Sequence, residues 1–432
     1  MNTIKAKIEA GMAKLGVIGL GYVGLPLAVA FAKAGFDVIG FDLSEKKLAS
    51  IAKGESYIND VSSAELREVL DGGHFKATSD MSLLADVDSV NICVPTPLSK
   101  TKDPDISYIQ SAVNSIARHM HTGMLIILES TTYPGTTEEI ILPIIEETGF
   151  TVGDDFFLAF SPERVDPGNK EFQTVNIPKI VGGVTDSCRE VAVTLYSKVM
   201  DKVIPVSSVK VAETVKLLEN TFRSVNIGLV NEIALMCSAM DIDVWEVIDG
   251  ASTKPFGYMP FYPGPGLGGH CIPIDPFYLA WKAKLFGFDS KFIELAGQVN
   301  GNMPKHVINL LIKGLNEKSL SVRGSKILVV GVSYKAGIED VRESPALDII
   351  QMIDDLGGEL SWYDPHVKSL PEGISGKRIT EWDTQTLGTF SAIVITTPHP
   401  DVDHSLTIDT SAIIIDTRNA LKNFDCPRII KL

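Results

Sequence analysis

Through the first half of the chain, short runs of β-branched and aliphatic residues alternate with longer stretches in which apolar side chains return every three or four positions. The runs are Leu15–Ile18, Asp37–Phe41, Ser89–Val94, Met124–Leu128, Phe157–Phe160, Lys179–Val181 and Lys202–Val206. Near-continuous apolar runs suit strands buried on both faces, and a helical stretch between strands supplies the crossover of a parallel sheet. Residues 1–206 are therefore expected to form one doubly wound domain. The pattern then changes. From Val209 to about Met240 there is no proline, one glycine, and apolar spacing of three and four. This predicts a single helix of roughly 45 Å at 1.5 Å per residue, with Ser207 and Ser208 as cap candidates. Such a helix is longer than one small domain needs. It is expected to join the two ends of the molecule and to offer a face for a homodimer or higher homo-oligomer. An aperiodic Gly/Pro/aromatic stretch, Lys254 to Pro276, interrupts the helical pattern, which resumes to about Lys318. From Lys326 a second strand–helix–strand series begins: Lys326–Gly331, Pro345–Leu356, Glu359–Tyr363, Ala392–Thr396 and Ala412–Asp416.

Length and charge narrow the picture. A chain of 432 residues accommodates two or three domains, expected at 1–206, 207–318 and 319–432. The formal charge of −15 repels a phosphodiester backbone, so nucleic acid is not an expected partner. An anionic ligand must be met by a few positioned cations and backbone N–H groups. The five cysteines, Cys93, Cys188, Cys237, Cys271 and Cys426, form no CxxC pair or zinc spacing, which points to free thiols, a reducing compartment and no metal. The first residues carry no apolar signal core. Leu15–Ala32 is apolar enough to suggest a membrane span, but its four glycines and one proline break it into strand, turn and helix. A cytoplasmic protein is expected, without membrane association.

Candidate chemistry starts at Gly19-Leu20-Gly21-Tyr22-Val23-Gly24, which follows the first strand and opens a helix. Gly19 is expected to make the tight turn, Gly21 to admit a pyrophosphate against the backbone, and Gly24 to let helix and strand pack. Asp42, at the end of the second strand, would accept from ribose hydroxyls and repel a 2′-phosphate, favouring NAD over NADP, with Lys46 and Lys47 pulling the other way. A bare structural turn is the competing reading. The two series thus predict an α/β fold: two Rossmann-like doubly wound lobes joined by a long central helix and a helical middle domain.

A second centre is Gly268-Gly269-His270-Cys271-Ile272-Pro273-Ile274-Asp275-Pro276, where two glycines let a ligand approach a thiol four residues before a carboxylate. Cys271 is the best nucleophile candidate in the chain, set against a buried inert thiol. Asp275 reads equally as a helix cap, and His270 as a loop residue bonded to its own backbone. Lys216 and Asn220, four apart, share a face of the long helix, where a lysine among apolar neighbours is as often a snorkelling surface residue.

Taken in order, the motifs resemble the UDP-glucose/GDP-mannose dehydrogenases over almost the full length. The matching segments are Gly19–Gly24, Cys93-Val94-Pro95-Thr96-Pro97, Glu129-Ser130-Thr131-Thr132, Ser161-Pro162-Glu163-Arg164, Lys216 with Asn220, Gly268–Asp275, Tyr334-Lys335, Asp340–Pro345, Tyr363-Asp364-Pro365 and Asp416-Thr417-Arg418-Asn419. The resemblance implies NAD-dependent oxidation of C6 of a nucleotide sugar to a carboxylate. In that scheme a proton leaves the C6 alcohol through water held by Thr131 and Asp275, while Lys216 and Asn220 stabilise the oxyanion. Cys271 captures the aldehyde as a thiohemiacetal, and water activated by Asp275 or Glu163 hydrolyses the thioester that follows. The resemblance places NAD in the first lobe, against Gly19, Gly21, Tyr22, Val23, Gly24, Asp42, Pro95, Thr96 and Thr131, with Lys335 and Arg342 near it. It places the UDP-sugar in the last lobe, with Glu163, Arg164, Lys216, Asn220, Gly268, Lys335 and Arg418 as contacts. Phe256, Tyr258, Phe261 and Tyr262 resemble a loop covering the sugar and nucleotide, with ordinary packing as the alternative. The last lobe has only Gly331 after its first strand, which suits a ligand other than a dinucleotide.

The cysteine segment is similar to the branch acting on UDP-N-acetylhexosamines, and there to bacterial UDP-N-acetylglucosamine 6-dehydrogenases. UDP-glucose, UDP-N-acetylgalactosamine and UDP-N-acetylmannosamine stay open as substrates. So do a two-electron hydroxyacid dehydrogenase with a merely buried Cys271, and a non-catalytic nucleotide-binding protein.

Overall fold

The computed structural model describes residues 2–97, 104–166, 171–269 and 271–432. His270 lies outside the described residues. The chain divides into two compact units, Met1–Glu219 with Trp281–Phe286, and Asn220–Ala280 with Gly287–Leu432. The division falls inside the long helix Val209–Ala239. Of the two cap candidates, Ser208 accepts from the N–H of Val211 at 3.3 Å.

The first unit is built on eight strands: β1 Lys14–Ile18, β2 Asp37–Phe41, β3 Phe75–Thr78, β4 Ser89–Ile92, β5 Leu125–Leu128, β6 Phe157–Phe160, β7 Lys179–Gly183 and β8 Val203–Pro205. Their order in the sheet is β3-β2-β1-β4-β5-β6-β7-β8. All neighbours run parallel except β6 and β7. Strand alternation divides the core between the two faces. Leu125 and Ile127 join the cluster containing Phe31 and Leu195, and Ile126 and Leu128 join the one containing Ile109 and Ile116.

The second unit contains a six-stranded, all-parallel sheet. Its strands are β9 Lys326–Val330, β10 Glu359–Tyr363, β11 Lys377–Arg378, β12 Ala392–Ile395, β13 Ile413–Asp416 and β14 Ile429–Lys431, in the order β11-β10-β9-β12-β13-β14. The same alternation sends Ile327 and Val329 to one core cluster and Leu328 and Val330 to the other. Counted within its own sheet, each unit follows the order 3-2-1-4-5-6 of a dinucleotide-binding fold, and each has a switch point beside its first strand. Both lobes of the expected α/β architecture are thus present. Among the described residues, no helix is long and apolar enough to cross a membrane.

Candidate active site

At the switch point of the first sheet, the glycines are required by contact. Gly19 sits at φ +92°, and a Cβ there would lie 2.5 Å from the carbonyl oxygen of Cys93. A Cβ on Gly24 would lie 1.8 Å from the carbonyl of Gly19, while one on Gly21 would meet nothing within 4 Å. Two glycines therefore let β1, the turn and the helix Gly24–Lys33 close on one another, and the third borders open space, as a bound pyrophosphate needs. Tyr22 and Val23 complete the turn. Pro95 and Thr96 follow β4, whose end borders the same turn through Cys93.

Asp42 follows β2 and is buried. Its Oδ2 accepts from the N–H of Leu20 at 2.8 Å and from Lys47 Nζ at 2.7 Å, and its Oδ1 from the N–H of Ser44 at 2.9 Å. Burial alone would raise its carboxyl, but Lys47 and the two N–H groups outweigh that and hold it below the usual carboxylate range. With about four lone-pair sites on a carboxylate, Asp42 keeps room for one more donor.

The second lobe has the same turn with a different outcome. Gly331, at φ +83°, would place a Cβ 2.0 Å from the carbonyl of Thr397. Asp364 follows β10 as Asp42 follows β2, since Val330 pairs with Tyr363 as Ile18 pairs with Phe41. Asp364 is fully enclosed and accepts from the N–H groups of Val332, Ser333, His366 and Val367 and from His399 Nε2. Five donors fill it, so it lacks the room for a further donor that Asp42 keeps. Among the described residues, one group has metal-ligand spacing, His366, His399 and Asp401. His399 Nδ1 already accepts from the N–H of Gly337 at 3.2 Å, and its Nε2 lies 3.1 Å from Asp364.

In the first unit, Lys216 Nζ donates to Thr131 Oγ1. Glu163, just past β6, accepts from the N–H groups of Arg164 and Val165 and lies 3.1 Å from Lys179 Nζ. The Arg164 guanidinium is committed within the protein: Nε and Nη2 bind both oxygens of Glu219, and Nη1 the carbonyl of Pro178.

In the second unit, Asn220 Nδ2 donates to Asp275 Oδ2 at 2.5 Å, with both side chains buried. Asp275 opens the helix Asp275–Leu285, and its N–H, like that of Ile274, is bonded to the carbonyl of Cys271. Cys271 itself is exposed, whereas Cys93, Cys188 and Cys237 are buried. The preceding glycines are again contact-driven, because a Cβ on Gly268 would lie 2.5 Å from Tyr334 Cβ. The N–H of Gly269 donates to the carbonyl of Arg342 at 3.0 Å. This lays the cysteine loop on the segment carrying Tyr334, Lys335 and Arg342. The Arg342 side chain forks onto Asp340.

Arg418 packs against Gly264, where a Cβ would lie 2.3 Å from its Nη1. It has no ion-pair partner among the described residues, and burial pushes its pKa down to about 10, so it stays charged at neutral pH. Of the aromatic stretch, Phe261 meets Phe222 edge-on at 5.7 Å, and Tyr262 stacks on Trp245 and donates to Asp249. Tyr258 is part-exposed, and Phe256 is largely exposed.

Sequence reasoning missed the residues that hold these parts in place. Asn231 Oδ1 accepts from the N–H of Gly264, Asn231 Nδ2 donates to Asn300 Oδ1, and Asn300 Nδ2 donates to the carbonyl of Ser224. Glu213 accepts from the N–H groups of Gly135 and Thr137 and from Thr137 Oγ1. Asparagines and a glutamate on amphipathic helices carry no sequence signal of burial.

Comparison with known proteins bears directly on this arrangement. The NAD binding domain of the UDP-glucose/GDP-mannose dehydrogenase family matches residues 13–200, its central domain 210–302, and its UDP binding domain 328–423. The chain belongs to that family. It is 35% identical to the UDP-N-acetyl-D-glucosamine 6-dehydrogenase of Pseudomonas aeruginosa, over 90% of this chain and 91% of that one. It is 37% identical to the UDP-N-acetyl-D-mannosamine dehydrogenase of Pyrococcus horikoshii, over 95% of this chain and 96% of that one. A solved structure of the UDP-D-ManNAc dehydrogenase from Pyrococcus horikoshii superposes with a TM-score of 0.87 at 36% identity, covering 97% of this chain and 98% of that chain. The protein is thus an NAD-dependent nucleotide-sugar dehydrogenase, an oxidoreductase whose first lobe is the NAD binding domain and whose last lobe is the UDP binding domain.

Proposed function

We propose that this dehydrogenase oxidises the C6 hydroxyl of a UDP-N-acetylhexosamine, UDP-N-acetylglucosamine first, to the uronic acid in two steps. The observation that carries the reading is the exposed Cys271 on a tight turn, one helical turn ahead of the Asn220–Asp275 pair. NAD, when bound, supplies the hydride acceptor for each oxidation. The chain does the rest. Lys216, as an ammonium, and Asn220 stabilise the developing alkoxide. Thr131 and Asp275 hold the water that takes the C6 proton. Cys271 adds to the aldehyde carbon, so the half-oxidised sugar stays bound rather than hydrating in solution. Glu163 or Asp275 then activates the water that releases the acid. Arg418, charged and without a carboxylate partner among the described residues, is assigned to the UDP phosphates together with Lys335. Arg342 is placed at the nicotinamide end.

Relatives named for UDP-N-acetylmannosamine support that sugar as a second reading. A panel of UDP-glucose, UDP-N-acetylglucosamine, -galactosamine and -mannosamine, followed by NADH absorbance, tests both. The preferred sugar should give two NADH per sugar consumed. A ratio of one would overturn the thioester scheme, and preference for UDP-glucose would overturn the substrate class.

We also propose a homodimer. Phe222, Leu229 and Met236 are 46%, 52% and 49% exposed along one stripe of the long helix, continued by Met240, 53% exposed, in the turn that follows it, while Val230, Ala234 and Cys237 are buried against Val244, Trp245 and Ile248. A regular apolar stripe left to water is the mark of a partner surface. Leu229→Glu should convert a dimer in sedimentation to a monomer; a wild-type monomer at micromolar concentration would sink the proposal.

A further inference from the structure

One buried charge cluster in the first unit meets the scheme above only through Glu163. Lys179 opens β7, the strand antiparallel to β6, and its side chain is 4% exposed. Its Nζ lies 2.6 Å from Glu129 Oε2 and 3.1 Å from Glu163 Oε2. Glu129 directly follows β5, two residues before Thr131, and its other oxygen accepts from Asn91 Nδ2 at 3.0 Å and from the Tyr196 hydroxyl. The Tyr196 ring also faces Lys179, 5.4 Å from Nζ. The Cys93 thiol is buried beside the cluster, and burial with Glu129 pushes it up. Two carboxylates against one ammonium leave one net negative charge in a buried site.

That arrangement has a direction. Burial pushes the Glu129 carboxyl up against the pull of Lys179. Burial also acts on Glu163, but there Lys179 and the N–H groups of Arg164 and Val165 outweigh it and hold the carboxyl below the usual range. Lys179 is held charged by both. With the ammonium removed, two enclosed carboxylates would compete for a proton.

We propose that Lys179 is a positioning residue for the oxidation: by clamping Glu129 to Glu163, it keeps Glu163 ionised and aimed, and fixes the turn that presents Thr131 to Lys216. The proposal rests on the reading of Glu163 and Thr131 as working residues of the site.

The test uses the full-length enzyme, its preferred UDP-N-acetylhexosamine and NAD. Lys179→Met should lower kcat by about 10²-fold, with KM little changed. It should also move the acidic limb of kcat/KM up by about one pH unit or more. Lys179→Arg, which keeps the charge, should restore both. The double variant Glu129→Gln/Lys179→Met returns the cluster to one net negative charge and should bring the acidic limb back toward wild type. It also serves where Lys179→Met alone does not fold. A folded Lys179→Met with wild-type kcat and acidic limb would overturn the proposal, and so would a folded double variant with wild-type kcat, because it restores the charge balance but not the clamp. Glu163→Gln separates the two ideas. If it is fully active, the reading of Glu163 fails and takes the proposal with it. If it is inactive while Lys179→Met is unimpaired, only the role of Lys179 falls.

Discussion

Cys271→Ala is expected to end acid formation while leaving the protein folded and able to bind NAD. The thiol is exposed, so its loss creates no cavity, and a change in stability within about 0.5 kcal/mol is expected. The turn around it is held by main-chain bonds from Ile274 and Asp275 to the Cys271 carbonyl, which alanine preserves. The glycines of the NAD turn belong to the other unit. What disappears is the only group that can join the aldehyde carbon covalently in the proposed scheme. Turnover to the acid should fall by about 10⁴-fold or more, the scale at which removal of a nucleophile acts. Cys271→Ser refines the test, because a hydroxyl keeps the shape but is a far weaker nucleophile at neutral pH. Both variants should retain NAD affinity by calorimetry. Acid production at the wild-type rate in Cys271→Ala would remove the thioester from the mechanism.

The central strands and the chemistry-bearing turns were legible in the sequence, and the reason is physical. β5 and β6 are buried at every residue, so Leu125–Leu128 and Phe157–Phe160 form unbroken apolar runs, and β1 is apolar past Lys14. The strands that the pattern did not announce, β3, β11 and β14, all lie at sheet edges. There one side is wet, and Phe75-Lys76-Ala77-Thr78 or Lys377-Arg378 need not be apolar. The glycine turn was readable because only a residue without Cβ tolerates φ +92° beneath the Cys93 carbonyl. Other site features depend on partners remote in sequence. Nothing around Arg164 announces that its fork closes on Glu219, or around Asp42 that Lys47 neutralises it rather than awaiting a 2′-phosphate. Lys179 reads as the polar start of a strand, and only the fold brings two glutamates to it.

Asp364→Asn is expected to be the most destabilising conservative change in the UDP binding lobe. The carboxylate is wholly enclosed, and its two oxygens take five donors: Oδ2 from the N–H groups of Val332 and Ser333 and from His399, Oδ1 from those of His366 and Val367. An amide keeps one acceptor and turns an N–H₂ toward donors that can only repel it. Leaving two buried N–H groups unsatisfied costs about 3–5 kcal/mol, which for a unit of this size lowers the midpoint of its thermal transition by roughly 10 °C. The pH dependence has a definite sign. Burial opposes the charge, yet His399 and the surrounding N–H groups hold the folded-state pKa down to about 2, below its value in an unfolded chain. The stabilisation from the ionised form is therefore complete above about pH 4 and is lost as pH falls through about 2. In calorimetric scans the gap between wild type and Asp364→Asn should be full at pH 7 and should narrow as the pH approaches 2. Superimposable scans at pH 7 would mean that the five-donor nest does not hold the turn after Gly331.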